Sequence, residues 1–348
     1  MNKFFLALLI FVPVAALGSY LNWPPIFLFF LSALAIVPLA KYIGEATEEL
    51  SIYTGPAVGG LLNATFGNAT ELIIGILALR AGLVEVVKAS ITGSILGNLL
   101  LVLGTAIFFG GLKKKKQKFN ATAAKASGST LLLTVIALIM PAVFFQTAPN
   151  VESSIIEKLS ILVAIFMIIA YGANLFFSLW THKHLYEAEV GKAEANWSRK
   201  KSIIILFIAT VAVAWVSEIL VGSIEPLVAH FGWSELFIGV IFIAIIGNAA
   251  EHASAITMAV KDKMDLALQV SIGSATQIAI FVAPVLVLIS LFFAKPMTLI
   301  FNLFELAAII FSVFIVNSII EDGESNWFEG MQLLVAYAII AIAFFFHP

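Results

Sequence analysis

Runs of apolar residues recur along the whole chain, separated by short polar breaks, and each is close to the ~20 residues that an α-helix needs to cross a bilayer core. Read in order, they predict eleven helical spans, at roughly 4–20, 24–42, 58–80, 83–110, 128–146, 157–180, 201–222, 234–260, 264–293, 299–320 and 328–346. The first run has a second reading. Lys3, the apolar stretch after it and the small residues of Ala16-Leu17-Gly18 would also suit a secretory signal peptide. A retained helix is the better fit, because Phe4–Leu17 leads into the next run after only a short turn at Asn22–Pro25. No polar stretch exceeds the segment from Thr181 to Lys201, so no soluble domain is expected and chemistry on a soluble substrate is disfavoured. The pattern predicts an all-α integral membrane protein.

Composition agrees. The 348 residues are 61% hydrophobic and 11% charged, well below the roughly one quarter charged of soluble domains. The absence of cysteine excludes disulfides, thiolate metal sites and thiol redox switching. Charge adds an orientation. With the N-terminus in the cytoplasm, 15 of the 19 Lys and Arg residues fall on the cytoplasmic side, leaving only Arg80, Lys88, Lys158 and Lys295 outside. Eleven spans then carry the C-terminus outside. The cluster Lys113–Lys118 needs no explanation beyond this bias and attraction to anionic lipid. Short loops and no appended targeting domain point to a prokaryotic cytoplasmic membrane, with an organelle membrane as the alternative.

The chain repeats itself. Gly67-Asn68-Ala69-Thr70-Glu71 returns 180 positions later as Gly247-Asn248-Ala249-Ala250-Glu251, and the same shift carries Gly93-Ser94 onto Gly273-Ser274. A weaker echo at 170 relates Glu48 to Glu218 and Gly55-Pro56 to Glu225-Pro226. These matches predict an N-terminal helix (1–23), a first five-helix repeat (24–180), a cytoplasmic linker (181–200) and a second five-helix repeat (201–348). A unit with an odd number of spans inserts its second copy upside down, and inverted repeats around a midplane site are a recurring plan of secondary transporters.

Glu71 and Glu251 carry the chemistry. Each lies inside an apolar span, where a carboxylate costs a few kcal/mol and is normally present for function. Asn68 and Asn248 stand three residues earlier on the same helix face. Gly67 and Gly247 precede them and allow the backbone to bend and expose carbonyls, as in broken transporter helices. Two carboxylates, two amides and free carbonyls form an all-oxygen set suited to Ca2+, which takes six to eight such ligands. The lack of cysteine and the single nearby histidine disfavour Zn2+ and other soft or imidazole-preferring metals. Supporting polar groups lie in the spans that follow: Ser90, Ser94 and Asn98 on one stripe, and Ser271, Ser274 and Gln277 on the other. Ser90 and Ser271 fit ordinary small-residue packing. The amides of Asn98 and Gln277 are costly to bury unpaired and fit a functional role better. His252, one turn from Asn248, is placed either to accept a proton or only to donate a hydrogen bond. Glu48 and Glu218, near the ends of their spans, either line the routes to the site or are solvated at the interface. Two buried carboxylates are neutralised equally well by protons or by one divalent cation, so the two ions compete for one site, the minimum an antiporter requires.

The doubled motif, Gly67–Glu71 with Gly247–His252, resembles the two α-repeats of the CAX calcium/proton exchangers, a branch of the cation/calcium exchanger superfamily. Ser90–Asn98 and Val270–Gln277 also match that pattern, as does one extra N-terminal span before five and five. The resemblance covers essentially the whole chain. It implies Ca2+ export driven by proton influx, with Glu71 and Glu251 as central ligands supported by Asn68, Asn248 and nearby polar groups. One departure stands out. Members of this family often carry a strongly acidic helix between the halves, linked to cation sensing, whereas Tyr186–Asn196 here holds only Glu187, Glu189 and Glu194, diluted by Lys192. A solvated linker is the expected reading.

Two alternatives stay open. A Na+-driven Ca2+ exchanger would need monovalent sites, and few further intramembrane acids are available to build them. A cation channel would also bury acids, but channels typically use rings of identical groups around a symmetry axis. An enzyme is not expected, since no paired-histidine metal motif or nucleophile–base constellation is present. The expected partners are Ca2+, protons and the lipid bilayer, with no cofactor and no nucleic acid; a homo-oligomer is compatible with this reading.

Overall fold

The computed structural model describes residues 3–54, 56–148, 150–182 and 195–347. Tyr186–Glu194 of the linker thus lies outside the described residues. Nearly all of the described chain is helical, as expected where lipid offers the backbone no partners and only internal hydrogen bonds satisfy it. Among the described residues, seven helices are long and apolar enough to cross a bilayer. They are α2 (Pro25–Thr54), α5 (Val84–Gly111), α6 (Ala121–Thr147), α7 (Ser153–Thr181), α8 (Arg199–Phe231), α11 (Met264–Ser290) and α13 (Trp327–Phe346). An eighth span is bent by 58° between α9 (Glu235–Gly247) and α10 (Ala249–Val260). The remaining apolar helices are shorter: α1 (Phe4–Tyr20), α3 (Pro56–Phe66), α4 (Ala69–Arg80) and α12 (Leu303–Ile319). The run at 58–80, read as one span with a bend allowed at Gly67, is two half-length helices that meet at Gly67–Asn68.

Local chemistry fixes where the helices start. Asn120 caps α6 by accepting from the amides of Thr122 and Ala123, while Ser198 and Ser234 cap α8 and α9. Asn302 with Glu305, and Asn326 with Glu329, form capping boxes at α12 and α13. Both ends of α10 lie 180 positions after those of α4, and α11 begins 180 positions after α5. The turns that follow α4 and α10 share a left-handed residue at the same offset, Gly82 (φ 81°) and Asp262 (φ 64°).

α5 is the centre of the bundle, with 83% of its apolar window buried, against 17% for α13 at the periphery. α2 and α8 lie against each other along much of their lengths; α8 also packs on α4, and α2 on α10. At the crossing of α5 with α9 the two backbones touch. Gly93 abuts the backbone of Val240, and Gly239 abuts Ala89 and the Val86 carbonyl, so neither position has room for a Cβ.

One end of the bundle gathers the basic loops. Gln117–Lys118 (β1) pairs antiparallel with Glu324–Ser325 (β2). Lys114 pairs with Asp262 and Lys116 with Glu324, while Gln117 Nε2 donates to the Ala259 carbonyl at 2.8 Å and to Asp262 at 3.1 Å. The lysine cluster, expected only as an orientation signal, thus also stitches three loops into one frame. Lys114 and then Gln117 hold the Asp262 carboxyl below its ordinary range. A depressed carboxylate contributes stability above its unfolded pKa and loses it as pH falls through the folded value. Asp262→Asn should lower the melting temperature of the purified protein slightly at neutral pH, the pair being exposed and worth under ~1 kcal/mol. The difference between variant and parent should shrink once pH drops below the ordinary aspartate value and vanish below the lowered value of the folded state.

Candidate cation site

The breaks at Gly67–Asn68 and Asn248 place both asparagines just ahead of a helix start. Neither side chain caps its helix, and both amides reach across the bundle. Asn68 Nδ2 donates to Gln277 Oε1 at 2.7 Å. Asn98 Nδ2 donates to Asn248 Oδ1 at 3.2 Å, and Asn248 Nδ2 reaches the Ser94 carbonyl at 3.5 Å. The amide of each motif is therefore held by the helix that follows the other motif. Asn98 sits in a π-helical turn, Gly97–Val102, and Gln277 directly precedes another, Ile278–Val282. Such turns are enriched at functional sites.

Glu71 and Glu251 lie in the first turns of α4 and α10, where the helix dipole favours negative charge. They are close enough for their charges to repel. Glu71 backs onto Gly247: a Cβ there would stand 3.2 Å from both Cγ and Oε1 of Glu71. Among the described residues, Oε2 of Glu71, Oε2 of Glu251, Oδ1 of Asn98 and Nε2 of His252 are buried without a hydrogen-bond partner. A buried acceptor left without a donor costs about 1–3 kcal/mol, and a cation or protons among these oxygens would remove that cost. No group of three or more His, Cys, Asp or Glu able to hold a metal occurs among the described residues. A cation here would draw its remaining oxygens from amides, hydroxyls and carbonyls.

Two cavities meet these acids from opposite ends. The larger, ≈ 380 Å³, is lined by Gly67, Asn68, Gly247, Glu251, Ser274 and Gln277, and runs past Glu48, Ser127, Ser178 and Gln269 toward the basic loops. The smaller, ≈ 10 Å³, touches Glu71, Ser90, Ser94 and Gly247 and is walled by Ile74, Ile243, Val282 and Leu286. The path is thus wide and polar toward the basic end and closed by apolar side chains toward the other.

The remaining sequence candidates divide. Glu48 lines the large cavity. Glu218 lines neither cavity; of its two readings, route-lining or solvated at the interface, its place here is nearer the second, exposed and paired with Arg80 at 2.6 Å at the opposite end, where α8 packs on α4. His252 also lines neither cavity. The hydroxyls of Ser90 and Ser271 bond the carbonyls of Val87 and Ala267 in their own helices. Sequence reasoning missed Tyr171 and Asn174 of α7 and Asn63 of α3, which line the large cavity. Tyr171 is 5% exposed and stacks on Phe281 at 4.8 Å. Tyr and Asn within an apolar run were the only signal in the sequence.

The family described as "sodium/calcium exchanger protein" matches residues 24–180 and 201–346. A Ca(2+)/H(+) antiporter of Synechocystis is 48% identical over 100% of this chain and 98% of its own length. The Ca(2+)/H(+) antiporter ChaA of Bacillus subtilis is 50% identical, covering 99% of both. Among solved structures, native YfkE superposes with a TM-score of 0.88 at 47% identity, over 99% of this chain and 100% of that one. The H+/Ca2+ exchanger CAX shares the fold, with a TM-score of 0.71 at 16% identity over 99% and 92% of the two chains. Matched over nearly its whole length, with a site built where its two related motifs meet, the chain is an integral membrane protein that belongs to the sodium/calcium exchanger family.

Proposed function

We propose that this protein is a secondary antiporter exchanging Ca2+ for protons by alternating access, with Glu71 and Glu251 alternately holding the cation or protons. The observation that carries this is the pair of buried first-turn carboxylates, each with an unpartnered oxygen, set between a wide cavity and a closed one. Protons or a divalent cation neutralise the pair, whereas the empty, doubly charged site crosses the low-dielectric interior poorly. Asn68, Asn248, Asn98 and Gln277 complete the oxygen set with Ser94, Ser274 and the backbone at Gly67 and Gly247; Glu48 lies on the cation's route, and His252 supports the proton side. Relatives named Ca2+/H+ antiporters favour protons over Na+ as the driving ion.

The architecture belongs to the same reading: eleven passes, made of the N-terminal helix and two inverted five-helix repeats joined by the 181–200 linker. The constant offset of 180 between helix bounds supports the repeat. Its inversion is supported by the cavities, whose linings exchange at that offset: Glu71 for Glu251, Ile74 for Ser254, Ser94 for Ser274. The basic end is read as cytoplasmic, which makes this an inward-facing state in a prokaryotic cytoplasmic membrane. Ca2+ flux in proteoliposomes with an imposed pH gradient and no Na+, with lumenal pH recorded alongside, tests the function. Ca2+ uptake matched by proton exit is expected. Flux that ignores the gradient but requires Na+ would replace the driving ion and keep the site.

A further inference from the structure

Glu45, Glu48 and Glu49 stand together on the basic end of α2, and two of them are engaged. Glu45 pairs with Lys41 at 3.3 Å. Glu49 accepts from Asn196 Nδ2 at 3.1 Å and from the Trp197 amide at 3.0 Å. Glu48 has no ion-pair partner among the described residues and lines the large cavity. At the opposite end, Arg80 closes α4, the helix of Glu71, and its Nη2 lies 2.6 Å from Glu218 Oε1 on α8. The same helix, α4, lines the narrow cavity with Glu71 and Ile74.

The two ends are related. Glu48 and Glu218 stand 170 positions apart on α2 and α8, the helices that pack along each other. α4 ends at Arg80; α10, the helix of Glu251, ends at Val260 and is followed by Lys261. Lys261 is exposed and has no ion-pair partner among the described residues; its neighbour Asp262 is already taken by Lys114 and Gln117. α2 packs on α10 as α8 packs on α4. Each half therefore carries an acid on the α2/α8 pair and a cation at the end of a site helix. Only one such pair is made here, at the closed end.

We propose that these are two alternately formed latches: Arg80–Glu218 holds the outer gate shut in this state, and Glu48–Lys261 forms to hold the inner gate shut in the opposite one. The inference rests on the alternating-access reading. Exposed ion pairs are weak, which suits contacts that must break in every cycle while biasing the two states by a few-fold. It also gives Glu48 a second role: in this state it borders the cation's route, and in the other it closes that route.

The chain contains no cysteine, so engineered pairs report alone. Arg80→Cys/Glu218→Cys and Glu48→Cys/Lys261→Cys variants would be treated in membrane vesicles with a short bifunctional thiol reagent while Ca2+ and pH gradients drive cycling. Each pair should cross-link and stop exchange when it does, and a variant carrying all four cysteines should form one link or the other, never both. Failure of the Glu48–Lys261 pair to link in vesicles that still exchange, or formation of both links in one molecule, would overturn the proposal. Absence of exchange in the parent protein would instead overturn the functional reading. Single neutralisations decide the matter if a double variant does not fold. Glu48→Gln and Lys261→Gln should both favour the inward state and tighten apparent Ca2+ affinity from the cytoplasmic side, by up to about fivefold. If Glu48 only attracts cations, the two substitutions act in opposite directions.

Discussion

Replacing either Glu71 or Glu251 by glutamine should abolish exchange while leaving the protein folded. Glutamine keeps the shape of the side chain and removes one of the two charges that neutralise a divalent cation. Removing one partner of a buried ion pair costs about 3–5 kcal/mol, which is roughly two to three and a half powers of ten in affinity. The fold should not suffer. Without the cation the two carboxylates repel each other in a buried site, and a neutral amide removes that repulsion while adding a donor beside oxygens that lack one. The melting temperature in cation-free buffer should stay level or rise, and Ca2+ should no longer raise it. Proteoliposome flux, read beside Ca2+-dependent melting, checks both halves of the expectation. Exchange by either variant within about tenfold of the parent would remove the two acids from the centre of the mechanism.

The second large effect comes from two glycines that stand 180 positions apart. Gly93 has no free space: a Cβ would lie 2.5 Å from Val240 Cα and 2.6 Å from its carbonyl carbon, and backbone cannot move aside cheaply. At Gly273 a Cβ would meet nothing within 4 Å, because that position borders the open cavity. Gly93→Val should therefore overpack the crossing of α5 and α9 by about 3 kcal/mol or more, with loss of monodisperse protein on size-exclusion chromatography. Gly273→Val should purify and melt like the parent. If the two halves exchange roles in the opposite state, position 273 must then pack as tightly as position 93 does now. The second variant should accordingly bind Ca2+ from the cytoplasmic side and fail to release it across the membrane. Near-normal exchange by Gly273→Val would mean that the cavity at the basic end never closes by this route.

Much of this protein is written in its one-dimensional pattern. A bilayer imposes a length on every apolar run and forbids unsatisfied backbone, so helix positions follow from hydropathy. A carboxylate inside such a run is conspicuous for the same physical reason, and Glu71 and Glu251 were legible because burial of a charge is costly. The offset of 180 was legible because the motif is short and polar against an apolar background.

Other features depend on packing. Nothing local to Asn68 indicates that its amide meets Gln277, or that Asn248 meets Asn98; those pairs exist because the helices that follow each motif cross to the other half. Nothing local to Glu218 indicates that it meets Arg80; the packing of α8 on α4 brings the two together. The lysine cluster carried its orientation signal in sequence, but its ties to Asp262 and Glu324, 148 and 208 residues away along the chain, needed three loops to meet at one end. Tertiary structure also decided which cavity is open. Repeated motifs have no preferred side, and only the packed arrangement of apolar side chains around Glu71, against polar ones around Glu251, breaks the equivalence.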